Sequence, residues 1–88
     1  MNPISLFYGI VIYMYTDKSS GVKVPHIHAA YKDEEVVMSL TGEVLDGRLQ
    51  PGKAKLVQAW LVIHEDDLAA DWKLMTAGNE VFRIDPLR

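Results

Sequence analysis

Residues 51–77 read PGKAKLVQAWLVIHEDDLAADWKLMTA, and their periodicity decides the fold. Val57, Leu61, His64, Leu68, Trp72 and Met75 recur at three- and four-residue steps, which places them on one stripe of a helix. Leu56, Trp60 and Ile63 widen that stripe. Pro51 suits a first helical turn, where its missing N–H costs nothing. Gly78-Asn79 supplies a stop. Unbroken, the segment would be about 40 Å long at 1.5 Å per residue, whereas a compact chain of this length is only about 30 Å across. The sequence therefore predicts a helical region over 51–77 with a break near His64. Glu65-Asp66-Asp67 would then sit at the positive end of a second helix, with Asp66 or Asp67 as its cap.

Upstream of Pro51 the period is two. Residues 8–15 (YGIVIYMY) are β-branched and aromatic and read as one strand. Ile10, Ile12 and Met14 share one face, and Val11, Tyr13 and Tyr15 the other. Thr16–Lys23 is polar and reads as a loop. Further strands are expected over 25–31, 35–40 and 43–45, with turns at Lys32-Asp33-Glu34, Thr41-Gly42 and Asp46-Gly47. No helical pattern separates them, so three to five strands form a mainly antiparallel sheet. A short extended tail follows at 81–84. The fold class is α+β: a sheet covered on one face by the C-terminal helical region, with Trp60, Trp72, Leu61, Leu68 and Ile12 in the core.

The length of 88 residues allows one domain, spanning 1–88, with one core. The 49% hydrophobic and 24% charged composition is that of a globular chain. There is no cysteine, which excludes disulfides, thiolate metal sites and a cysteine nucleophile. No apolar run approaches the roughly 18 residues of a membrane span, and the start lacks the basic residues of a signal peptide. A cytoplasmic protein with no membrane association is expected. The formal charge of −3 argues against tight nucleic-acid binding, and Arg48, Lys53 and Lys55 read as solvated surface.

His26 and His28 are the candidates for chemistry. Residues two apart in a strand share a face, so the two imidazoles stand side by side, with at least one reachable by solvent. Histidine is a common metal ligand and a proton shuttle near neutral pH. A divalent metal would need a third ligand, either His64 or a carboxylate. If Ile27, Ala29 and Tyr31 face the helices, however, His64 lies on the wrong side. No cofactor is otherwise expected. His64-Glu65-X-X-Leu68 lacks the second histidine of a zinc protease. Tyr13 and Tyr15 share a face of the first strand and, beside His26 and His28, make a candidate partner-binding patch. No phosphate loop, nucleophile elbow or nucleotide fingerprint is present.

Several units occur in a familiar order: Ile4 to Ile10 (ISLFYGI), Met14-Tyr15, Pro25-His26-Ile27-His28 with Tyr31, Gly47-Arg48-Leu49, Trp60 with His64 and Leu68, then Trp72. In this the chain resembles a bacterial family, the domain of unknown function 4160. Members usually carry two prolines and an acidic-His pair before the Pro-His-hydrophobic-His unit; here Lys18–Val24 forms a different loop. The resemblance implies no established reaction. It implies a small domain encoded beside a second small domain, as part of a toxin–antitoxin-like module. The leading expectation is a protein-interaction component that uses its sheet face or an edge strand to bind the neighbouring gene's product. The alternatives are a small His-dependent nuclease or hydrolase using His26 and His28, metal-assisted or not, and a structural homodimer without separate chemistry.

Overall fold

Five strands precede two helices in the computed structural model, which describes residues 2–16 and 21–88. The strands are β1 (Ser5–Phe7), β2 (Ile10–Tyr13), β3 (His26–Tyr31), β4 (Glu34–Ser39) and β5 (Val44–Arg48). They form one sheet in the order β1-β2-β3-β4-β5, with every neighbouring pair antiparallel. The helices are α1 (Pro51–Ile63) and α2 (Glu65–Thr76). The fold is thus the α+β arrangement that the change of period at Pro51 predicts.

The first expected strand, 8–15, is divided. Tyr8 and Gly9 have φ of 51° and 79°, the left-handed pair that closes a two-residue hairpin with the twist of its strands. Phe7 then faces Ile10, and residues 5–7 become an additional strand. The tip is pinned from outside by Lys53, whose Nζ donates to Tyr8 O at 3.2 Å. The strand expected at 43–45 instead runs from 44 to 48, passing through the supposed turn at Asp46-Gly47. Two features allow this. Leu45 is an extra residue between the partners of Val37 and Met38, a bulge. Gly47 adopts φ 72°, and a Cβ there would collide with Glu35 O. The loop expected at 16–23 lies partly outside the described residues.

The helical region breaks at His64, which ends α1 and precedes α2. The longest dimension of the molecule is 33 Å, too short for one straight helix over 51–77. Glu65, Asp66 and Asp67 occupy the first turn of α2, where the helix dipole favours them, but none caps it through its side chain. Gly78, with φ 83°, ends α2 in a Schellman motif: Asn79 N–H donates to Leu74 O at 2.9 Å and Gly78 N–H to Met75 O at 3.1 Å. The tail is extended rather than a strand, and Ile84 N–H donates to Ile4 O at 2.7 Å, just before β1.

Alternation in the sheet selects the core face. Ile10, Ile12 and Met14 are buried, as are Ile27, Ala29, Val36 and Met38, and they pack with Val57, Trp60, Leu61 and Leu68 of the helices. Val11, Tyr13 and Tyr15 on the opposite face are half-buried. Trp60 is fully buried, whereas Trp72 is only half-buried against the core.

Candidate functional site

β3 carries the two histidines. In the register with β2 and β4, His28 lies between Tyr13 and Val37, and His26 opposite Ser39. Ile27 and Ala29, between and beyond them, enter the core. The expected shared face is therefore formed. The expected solvent access is not: His26 is 1% exposed and His28 4%. Aromatic neighbours close the site. Tyr15 stacks on His28 with centroids 3.8 Å apart and planes 6° apart. His28 meets His26 edge-on at 5.2 Å, and His26 meets Trp72 of α2 at 5.2 Å.

The polar edges of these rings are only partly used. His26 Nδ1 is 2.7 Å from Val24 O, the carbonyl that fixes its orientation, while its Nε2 is buried without a partner. His28 Nδ1 stands 3.5 Å from Glu35 Oε1, and neither of its ring nitrogens makes a well-formed hydrogen bond. Burial pushes the His28 pKa below 6.5, and charge on His26 lowers it further. The Glu35 carboxylate and the Tyr15 backbone act in the opposite sense. His28 is thus biased toward neutral imidazole, with one carboxylate, that of Glu35, leading out to solvent.

His64 belongs to another place. Its ring lies 5.6 Å from that of Trp60, and its Nδ1 is 3.7 Å from Asp67 Oδ2. Among the described residues, no group of three or more His, Asp or Glu side chains is placed to hold a metal ion. Around His64 the helix junction is uneven. Val62 and Ile63 stand 74% and 64% exposed, and with His64 and Asp67 they line a cleft. Asp67 also lines a second cleft, between α2 and the tail, with Asp71, Phe82 and Asp85. Asp71 is buried. Its Oδ1 accepts the Phe82 N–H at 2.9 Å, and its Oδ2 has no partner. Burial raises its pKa first of all, and Asp67 adds to the rise; the Phe82 N–H lowers it. The sequence reading passed over Asp71. Its spacing was a usable signal, three residues beyond Leu68 and seven beyond His64 on the same helical stripe.

A family model described as Domain of unknown function (DUF4160) matches residues 9–73. The chain belongs to the DUF4160 family. The DUF4160 match runs from the turn before β2 through most of α2, and so takes in His26, His28, His64, Asp71 and Trp72. The tail that meets Asp71 lies beyond it. No curated protein and no solved structure matches the chain.

Proposed function

We propose that this DUF4160 domain is a protein-interaction domain, the binding component of a two-gene, toxin–antitoxin-like bacterial module, and that its partner is the neighbouring gene's product. The observation that carries this reading is the apolar surface left uncovered at the helix junction. Val62 and Ile63 project from the end of α1, and Phe82, 74% exposed, projects from the tail. The two clefts they border share Asp67. Large apolar side chains gathered around concave surface are what a partner covers. Burial of both β3 histidines supports the same reading, because neither imidazole presents an open surface to a substrate. The β5 edge is a poorer dock: its bulge, with Asp46 and Arg48, is the kind of feature that discourages strand addition.

The test is co-expression with the neighbouring gene followed by size-exclusion chromatography. The two proteins are expected to co-elute, and Val62→Asp with Ile63→Asp to separate them with at most a small change in the melting temperature. A wild-type chain that elutes alone sinks the proposal. A self-associated chain dissociated by the same substitutions would assign this surface to a homodimer instead.

One observation favours the enzyme reading: the His28–Glu35 contact resembles a base oriented by a carboxylate. A small nuclease or hydrolase using His26 and His28, with or without a divalent metal, follows from it. Phosphodiester and ester cleavage by the wild type no faster than by His28→Ala, with and without added divalent cation, removes that reading.

A further inference from the structure

The uncovered surface is acidic as well as apolar, and this narrows the chemistry of what it binds. Resting on the interaction reading above, we infer that the cleft between α2 and the tail seats an arginine or lysine side chain of the partner. That side chain belongs to a basic amphipathic segment whose apolar residues lie on Val62, Ile63 and Phe82. The cleft has a volume of about 280 Å³, enough for a cationic head group. Asp67, Asp71 and Asp85 line it, against one guanidinium, that of Arg83. Glu65 and Asp66 extend the negative field along the neighbouring cleft.

Carboxylates on a helix end are by themselves a solvated face. Asp71 is different, because it is 2% exposed and Oδ2 is shut off from water with no donor. An acceptor buried in that state costs free energy until a donor reaches it. A guanidinium or ammonium entering the cleft supplies that donor as a charge-assisted hydrogen bond once the Asp71 carboxylate turns toward it. Phe82 also lines the cleft and is exposed, so its ring is available to the same cation. Among the described residues no group of three or more such side chains is placed to hold a metal ion, whereas an organic cation needs only one such acceptor. Diffusional capture of a basic segment is also favoured by the acidic field around the cleft.

The test has two arms on the full chain. In the first, N-acetyl-arginine methylamide is titrated against the protein by NMR, with N-acetyl-norleucine methylamide as the neutral control. The arginine probe is expected to give saturable shifts at Asp71 and Phe82, and the control none. Asp71→Asn keeps an acceptor for the Phe82 N–H, and Asp67→Asn is a change at an exposed position. Each is expected to weaken probe binding, Asp71→Asn by roughly tenfold. Equal shifts with the neutral control, or undiminished binding by both variants, would overturn the assignment. In the second arm the same variants are tested for capture of the neighbouring gene's product. Loss of capture in both supports the cleft as the seat. Capture unchanged in both refutes the cleft while the interaction reading stands. If the wild type captures nothing yet binds the arginine probe through Asp71, the interaction reading fails and the cleft survives.

Discussion

Each of the two tryptophans lies against a histidine, in settings that differ in almost every other respect. Trp72 is 5.2 Å from His26 on the sheet, and Trp60 is 5.6 Å from His64 at the helix break. His26 is buried, its Nδ1 faces a backbone carbonyl, and the ring contacts continue through His28 to Tyr15. His64 keeps 15% of its side chain exposed and faces the carboxylate of Asp67, next to Val62 and Ile63. An aromatic neighbour does not determine what a histidine does. The partner of its polar edge, and what lies beyond that partner, decides whether the place is closed by the fold or open to a ligand. Burial also acts on the two regions in opposite electrical senses: it lowers the pKa of His28 and raises that of Asp71.

Four experiments bear on this contrast. The largest effect is expected at the tryptophans. Trp60→Ala should cost about 3–5 kcal/mol, because the ring is fully buried against Phe7 and its indole N–H donates to Asp85 O at 2.8 Å. Trp72→Ala should cost distinctly less, since Trp72 is half-buried. Equal losses in urea denaturation would erase the difference in burial. Next comes the sheet pair. Changing His26 and His28 together to Ala removes two packed rings and should cost roughly 2–4 kcal/mol. A double variant that melts like the parent would leave the pair without a structural role.

The third effect depends on pH. Because the folded pKa of His28 lies below its unfolded value of 6.5, the unfolded chain binds more protons in the window between them. Stability is therefore present above the unfolded value and declines as pH falls through that window to the folded one, with a slope of at most about 1.4 kcal/mol per pH unit. His28→Phe keeps a ring against Tyr15 and should flatten the slope; a parent whose melting temperature does not change across the window would contradict the pKa direction. Asp71 has the opposite sign. Its raised pKa gives stability below the usual value of 3.8 that is lost as pH rises through the folded value. The smallest change in stability is expected at the junction. Val62→Asp with Ile63→Asp should alter the melt by no more than about 0.5 kcal/mol, and its effect should appear in partner capture instead.

Local signals in the sequence reached much of the fold. The break at His64, the stop at Gly78-Asn79 and the alternation of Ile10, Ile12 and Met14 all follow from spacing and helix chemistry. The hairpin at Tyr8-Gly9 was missed because Tyr8 has the propensity of a strand residue, while its left-handed backbone is imposed by the pairing of Phe7 with Ile10. The passage of β5 through Asp46-Gly47 depends on the close approach of Glu35, a contact made only across the sheet. At the candidate site, the shared face of His26 and His28 was legible from the period of two. Their burial was not, since Tyr15 and Trp72 reach them only through tertiary packing. Asp71 lay on a legible stripe, but the Phe82 N–H that it accepts lies on the tail beyond α2.

The bond from Ile84 to Ile4 has a consequence for the order of folding. Each ladder of the sheet joins strands adjacent in sequence, so hairpins can zip one onto the next with small loops to close. Ile84 meets Ile4 only when nearly the whole chain has been brought round, the costliest closure in entropy. The tail thus docks late and opens early, and the amide of Ile84 should exchange with deuterium before those of β3. Phe82 is carried on that same tail, so a partner that grips it also holds the final turn of the fold in place.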